Sequence, residues 1–269
     1  MPETLQIEAV SKCNFSCVYC PRDKLTRKEE VMPAVLFFDV INLYGPLVKK
    51  FTLNKDGEFL LHPEWHGLLK LLETHRKPVR IPSNGVRLNK SVVEKLGELK
   101  IPIKLVVTEH TVGRDVDQEK IVEEAVRPNL RNLIMNKPDN ISLSIQKLHV
   151  PKLMWHDAVE DFKKVYYALH KKYGGFTYKV NEDIDPWAEF NPYGGPKPVK
   201  CPYGHMKVIV VGVTGNMLLC CTDLNEECII GNINNEQPVV LLERRRKLFK
   251  QINGTGWKEL APCRRCLRK

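Results

Sequence analysis

The sequence predicts an α/β fold, either a partial barrel or an open sheet, followed by a small cysteine-bearing segment. Three observations carry this. Over the first 185 residues short β-like runs alternate with amphipathic stretches through short links, the pattern of a parallel sheet with helices packed outside it. Five or six such units are too few for a closed eight-stranded barrel. The Gly/Pro-rich stretch Asn191-Pro192-Tyr193-Gly194-Gly195-Pro196-Lys197-Pro198 then sets residues 1–190 apart from 195–269, where six of the nine cysteines lie.

Each element has a local reason. Leu5 to Val10 reads as a strand and Met32 to Tyr44 as a helix with Pro33 in its first turn. Phe51 to Leu53 is a short strand. His66 to Arg76 is a helix whose apolar face is Leu68, Leu69, Leu71 and Leu72. Val79 to Ile81 is a strand ended by Pro82 and the turn-like Asn84-Gly85. Ser91 to Leu99 is a helix, and Ile103 to Thr108 is a β-branched strand. Gln118 to Leu133 reads as helical with a break at Pro128. Ile141 to Ile145 is a strand, and Trp155 to Tyr173 a long helix stopped by Gly174-Gly175 before a strand at Phe176 to Val180. Past the linker, Val208 to Val213 and Met217 to Leu219 flank Thr214-Gly215-Asn216 as a hairpin. Val239 to Ile252 is a closing helix.

The chain has 269 residues, 43% hydrophobic and 28% charged, which is enough apolar surface for a packed core and excludes a disordered chain. No apolar run approaches the ~20 residues of a membrane-spanning helix. Met1-Pro2-Glu3-Thr4 lacks the basic and apolar regions of a signal peptide, so the expectation is a cytoplasmic protein with no membrane partner. In a reducing compartment an odd, unevenly spaced set of cysteines points to metal binding or reactivity.

Charge is concentrated. Of the net +10, residues 241–269 carry ten basic and two acidic side chains, hence +8. Three readings fit such a stretch: a surface for a polyanion such as nucleic acid, a solvated helix face, or charge that offsets an anionic metal cluster.

Cys13, Cys17 and Cys20 follow the first strand with the spacing C-x3-C-x2-C. Three thiolates from one loop can converge on one centre. A structural zinc site wants four, whereas a cubane iron–sulfur cluster held by three keeps one iron open for another ligand. Zinc completed by a distant residue is the alternative. This loop, with Tyr19 before its third cysteine, resembles that of the radical S-adenosylmethionine (SAM) superfamily. In that superfamily the open iron of a [4Fe-4S] cluster is chelated by the amino and carboxylate groups of SAM. One electron cleaves the sulfonium, and the 5′-deoxyadenosyl radical abstracts a hydrogen from an unactivated carbon. Two further segments resemble the superfamily in the right order. Asp56-Gly57-Glu58-Phe59 stands where a Gly-Gly-Glu-Pro segment holds the methionine amine, departing from it at Asp56 and Phe59. Ser83-Asn84-Gly85 stands where a Thr/Ser-Asn-Gly approaches the ribose. The implied SAM-binding residues are Tyr19, Gly57, Glu58, Ser83 and Asn84.

Cys201, Cys220, Cys263 and Cys266 make a second set of four, and four ligands close a site. Paired cysteines are also a zinc pattern. Cys201 followed by Gly215-Asn216-Met217-Leu218-Leu219-Cys220 resembles the opening of SPASM and "twitch" domains, with Asp223 and Gly231-Asn232-Ile233 where those often have Asp and Gly-Asn-Ile. The resemblance implies one auxiliary [4Fe-4S] cluster, and with it a partial (β/α)6 TIM-like barrel bearing a C-terminal twitch domain. Cys221 and Cys228 read as small buried residues.

Within the superfamily the layout is most similar to the 2-deoxy-scyllo-inosamine dehydrogenases, which oxidise an aminocyclitol alcohol. Val107-Thr108-Glu109-His110 resembles their Val-Thr-Gln-His. Asn191-Pro192-Tyr193-Gly194-Gly195 departs from their Asn-Arg-Gly-Gly, so a different substrate is expected. Glu109 and His110, closing the fourth strand, are the candidate catalytic pair, as SAM or substrate contact or as proton acceptor, the alternative being a satisfied polar pair at a strand end. Asp185, Trp187 and Glu189 are candidates to border the substrate. The resemblance implies an enzyme with an external one-electron donor such as flavodoxin or ferredoxin, oxidising a small polar molecule. Modification or rearrangement of a nucleotide side group in DNA or RNA, peptide modification, and a zinc-bearing nucleic-acid-binding protein are the other readings.

Overall fold

The computed structural model describes residues 2–17, 20–109, 120–148, 156–181, 201, 207–254 and 256–266. Nine strands and seven α-helices are numbered in chain order over these residues. The strands are β1 (Thr4–Ile7), β2 (Lys50–Leu53), β3 (Val79–Ser83), β4 (Ile103–Thr108), β5 (Ile141–Leu148), β6 (Phe176–Asn181), β7 (Val208–Val211), β8 (Asn216–Leu218) and β9 (Ile229–Asn232). The helices are α1 (Ala34–Tyr44), α2 (Trp65–Leu72), α3 (Lys90–Gly97), α4 (Arg127–Met135), α5 (His156–Tyr173), α6 (Pro238–Asn253) and α7 (Ala261–Cys266). The chain divides into two compact units. One holds Met1–Lys12, Pro21–Gly57 and Asp185–Lys269; the other holds Cys13–Cys20 and Glu58–Ile184.

In the first unit β1 is central. It pairs in parallel with β2 on one side (Thr4 with Lys50, Ile7 with Leu53) and with β7 on the other (Thr4 with Val208, Ile7 with Val211). All four residues of β1 are buried. Leu5 and Ile7 alternate with Gln6, whose amide reaches the Asn54 carbonyl at 2.9 Å. β7 turns through Gly215 (φ +87°) into antiparallel β8, and β8 pairs antiparallel with β9. The strand β9 is beyond the sequence expectation, because a four-residue run containing a glycine carries little periodicity. Helix α1 buries Phe37, Val40, Ile41 and Tyr44 at helical spacing, and α6 buries Leu241, Arg245, Phe249 and Ile252.

In the second unit β3, β4, β5 and β6 run parallel in that order. β3 does not stop at Pro82 but continues to Ser83, with Pro82 in register with Val106. A proline is compatible with a strand where its missing N–H is not required by the ladder. Helix α3 starts at Asn89, whose side chain accepts from the Val92 N–H at 3.0 Å. The expected break at Pro128 takes the form of a widened π turn over Val122–Val126 before α4, with the Arg127 N–H bonded to the Val122 carbonyl. Pro128 cannot donate to the turn before it, and the wider turn absorbs that loss. Helix α5 buries Val159, Phe162 and Tyr166 and ends at Gly174 and Gly175, both at positive φ. Along β5, Ile141, Leu143, Ile145 and Lys147 are buried while Ser142 is exposed and Ser144 and Gln146 are half-buried. One face is therefore core and the other polar. No helix among the described residues is long and apolar enough to cross a membrane.

At the carboxyl ends of β1 and β2 the first unit buries charge. Glu8, Lys55 and Asp56 have fully buried side chains. Arg27 binds Glu8 at 2.6 Å and Asp56 at 2.7 Å, and Lys55 pairs with Asp56. Burial pushes the Glu8 carboxyl up to about 7 against the pull of Lys55 and Arg27, with Asp56 adding to the rise. A carboxyl whose proton affinity rises on folding stabilises the fold below its ordinary value of 4.5 and loses that contribution as pH climbs through about 7. Between pH 4.5 and 8 the unfolding free energy of the wild type should fall relative to Glu8→Gln by ~2–3 kcal/mol. Anaerobic urea titrations of both proteins across that range check this, and parallel pH profiles would contradict it.

Candidate functional site

The first cysteine loop lies in the second unit. Cys17 is buried, Cys13 and Cys20 are half-buried, and the Cys20 N–H bonds the Cys17 carbonyl at 2.9 Å. Phe15, also buried, anchors the loop between Cys13 and Cys17. Asn84, just past the carboxyl end of β3, faces this loop. Its side-chain N–H groups reach Asn14 Oδ1 at 2.8 Å and Cys13 Sγ at 3.9 Å. Its backbone N–H donates to Glu58 Oε2 at 2.8 Å, while Glu58 Oε1 accepts from the Leu60 N–H at 3.2 Å. Burial raises the proton affinity of the Glu58 carboxyl, opposed by the hydrogen bonds from Asn84, Leu60 and Ser83. The Ser83 hydroxyl also accepts from the Gly85 N–H at 3.1 Å. Asn84 thus joins the cysteine loop, the Glu58 carboxylate and the Ser-Asn-Gly turn.

Gly57, in the first unit, is fixed by space. A Cβ there would collide with the Val10 carbonyl and stand 2.7 Å from that of Lys12, the backbone leading into Cys13. No side chain fits this approach. The Arg22 guanidinium braces the same backbone, donating to the Ser11 and Asp56 carbonyls. The Arg27–Glu8–Asp56 cluster carries no local sequence signal, since its members are 19, 29 and 48 residues apart.

Glu109 is buried just past β4. Its Oε2 accepts from the Tyr166 hydroxyl at 2.7 Å, and its Oε1 takes Arg127 at 3.2 Å and Lys147 at 3.4 Å. Both oxygens are engaged from α5, α4 and β5. Arg127 also pairs with Asp161 at 2.6 Å. Burial lowers the proton affinity of Lys147, with Glu109 acting the other way. On the polar face of β4–β6 the side chains form a second row. Gln146 donates to the Thr108 hydroxyl at 2.9 Å and accepts from Asn181 at 2.9 Å. Tyr19, His110, Asp185, Trp187, Glu189 and the 191–198 linker lie outside the described residues.

The second cysteine set surrounds a pocket in the first unit. Cys201, Cys220, Cys263 and Cys266 line it, and so does Cys228. Its apolar wall includes Leu219, Phe249 and Ile252. Cys263 and Cys266 come from one face of α7, a short helix beyond the sequence expectation. The Cys220 sulfur meets the Thr222 hydroxyl at 3.1 Å and the Thr222 N–H at 3.5 Å. Hydrogen bonding from Cys221 and then Thr222 lowers its thiol to about 7 against burial, whereas burial and the neighbouring thiols push Cys263 up to about 12. Among the described residues no three Cys, His, Asp or Glu side chains converge as ligands of a single ion.

Much of the basic run on α6 is already engaged. Arg245 is buried, donates to the Val208 carbonyl and stacks on Phe249 at 4.8 Å. Arg244 pairs with Glu236 at 2.6 Å, and Lys247 with Glu243 at 3.2 Å. Arg246 and Lys250 stay exposed.

No family model and no curated protein matches the chain. Solved structures do. BtrN in complex with AdoMet and 2-DOIA is 18% identical, with a TM-score of 0.68 over 100% of this chain and 94% of that one. The anSMEcpe enzyme with bound AdoMet and the Cp18Cys peptide is 16% identical, with a TM-score of 0.64 over 99% and 90%. SuiB of Streptococcus suis bound to the precursor peptide SuiA is 16% identical, with a TM-score of 0.56 over 94% and 67%. At these identities the likeness is one of fold. The chain thus shares its α/β fold with BtrN and anSMEcpe.

Two substitutions test this geometry. Tyr166→Phe removes one charge-assisted hydrogen bond from a buried carboxylate and should lower stability by about 1.5–3 kcal/mol in denaturant titrations. An unchanged midpoint would show that Arg127 and Lys147 satisfy Glu109 unaided. Gly57→Ala should cost ~3 kcal/mol, because the colliding atoms are backbone. Melting at the wild-type temperature would mean that the approach to Val10 opens freely.

Proposed function

We propose that the chain is a radical SAM enzyme that cleaves SAM reductively and oxidises a small polar substrate by hydrogen abstraction from carbon. The observation that carries this is Asn84, which joins the Cys13 loop, the Glu58 carboxylate and its own Ser-Asn-Gly turn within one unit. These are the three segments on which the sequence resemblance rests. Cys13, Cys17 and Cys20 would hold a [4Fe-4S] cluster. Bound there, the cluster supplies the electron that cleaves SAM to a 5′-deoxyadenosyl radical. The Asn84 carboxamide holds the loop and donates toward a ligand sulfur. The buried Glu58 carboxylate is suited to an ammonium group, which favours its charged form. Gly57 keeps the neighbouring backbone close. Tyr19 and Ser83 join the SAM site on the strength of the sequence alone.

Cys201, Cys220, Cys263 and Cys266 would hold an auxiliary [4Fe-4S] cluster. The pocket that all four line, together with the resemblance of their spacing to a twitch segment, supports this. Residues 1–190 would form the radical SAM core and 195–269 the twitch segment. An external flavodoxin or ferredoxin would deliver electrons. The Thr108–Gln146–Asn181 row supports a hydroxyl- or amine-bearing substrate on the polar face of β4–β6. Glu109 has both oxygens occupied by Tyr166, Arg127 and Lys147, leaving His110 as the candidate proton acceptor. Peptide modification is the second reading, favoured by the peptide-bound structures of similar fold.

Anaerobic reconstitution tests the proposal. About eight iron atoms per chain, a broad absorbance near 400 nm, and 5′-deoxyadenosine formed on adding SAM and a strong reductant are expected. Cys17→Ala should abolish 5′-deoxyadenosine while keeping about four iron atoms. A colourless, zinc-loaded protein would end the radical SAM reading.

A further inference from the structure

We propose that Cys228 is a reserve ligand of the auxiliary cluster, able to replace Cys220. This rests on the reading of that pocket as a cluster site. A [4Fe-4S] cluster takes four thiolates, and five cysteines line the pocket. Cys228 is the surplus one. Sequence marks it only as a small residue in a polar turn, and its place in the fold is what changes its meaning.

Cys220 and Cys228 stand at the two ends of one braced turn. Asp223, almost fully buried, accepts from the Glu227 N–H at 3.0 Å and from the Cys228 N–H at 2.8 Å. The Asp223 N–H in turn reaches the Cys220 carbonyl at 3.4 Å, and the Leu219 N–H pairs with the Cys228 carbonyl at 3.2 Å. Asp223 thus holds Cys228 through its carboxylate and Cys220 through its backbone N–H, and both cysteines line the pocket. Cys228 is buried, as a thiol facing a pocket lined by Leu219, Phe249 and Ile252 must be. Cys221 follows Cys220 in the chain yet does not line the pocket. Losing Cys220 therefore leaves a second thiol on the wall from which the first was lost. Exchange costs no redox equivalent: an iron–sulfur bond to Cys220 breaks, one to Cys228 forms, and the Cys228 proton passes to the departing sulfur or to water.

Full-length variants, reconstituted anaerobically and freed of added thiol by gel filtration, test this by iron and sulfide content and by the EPR spectrum after reduction. Wild type and Cys228→Ala should each hold about eight iron atoms with the same spectrum. Cys220→Ala should keep about eight, with one cluster signal altered, and Cys220→Ala/Cys228→Ala should fall to about four. The proposal is overturned if Cys220→Ala alone falls to about four, if Cys228→Ala does so, or if Cys220→Ala/Cys221→Ala falls while Cys220→Ala/Cys228→Ala does not. Global misfolding would take iron toward zero rather than four, and Cys220→Ser, the nearest isostere, then repeats the comparison. A wild type holding only about four iron atoms refutes the auxiliary site itself, an outcome separate from failure of the exchange.

Discussion

Arg27 reaches Glu8 at the end of β1, Asp56 after β2, and, through its Nε at 2.9 Å, the Leu224 carbonyl in the turn between β8 and β9. Buried carboxylates persist only with partners, and stripping one member from such a pair costs ~3–5 kcal/mol. Glu8 and Asp56 therefore dictate where the guanidinium sits. The guanidinium then fixes the turn that carries Asp223 and leads to Cys228. Asn225 adds to this hold, accepting from the Thr26 N–H at 2.8 Å and donating to the Lys24 carbonyl at 3.1 Å. Residues just past the first cysteine loop are thus bound to the turn between two thiols of the second set. Asp56, a departure from the superfamily's glycine, is one of the anchors of this arrangement.

Periodicity made most of the α/β order legible. Strands such as Ile103–Thr108 and helices such as Ser91–Leu99 announce themselves through β-branched runs and apolar spacing, and the structure contains both. The elements that escaped are short. β9 has four residues and α7 six, below the length at which a pattern repeats. The first cysteine triad was legible as a candidate ligand set because its spacing is local. The partners of Glu109 were not. Arg127, Lys147 and Tyr166 converge on Glu109 from 18, 38 and 57 residues away. No local pattern encodes such pairing. Glu109 consequently looked like a group facing substrate, while the fold surrounds it with donors.

The charge of the C-terminal segment has a similar lesson. As composition, a +8 stretch invites a polyanion. In the fold its members divide. Arg245 packs as a core residue, held by a backbone carbonyl and an aromatic face, and burial lowers its proton affinity to about 10. Arg244 and Lys247 spend their charge on nearby carboxylates. Among the described residues Arg246, Lys250, Lys258 and Arg264 remain exposed.

The parallel pairing of β1 with β7 bears on how the protein is made. The backbone groups on one edge of β1 meet their partners only in a segment about 200 residues later in the chain. Until then β1 presents an open edge, which is sticky toward other strands. A nascent chain halted before Val208, or a fragment ending at the linker, would leave that edge bare beside buried charges whose turn, 223–226, is missing. Residues 208–211 are thus the segment that closes this edge of the first unit.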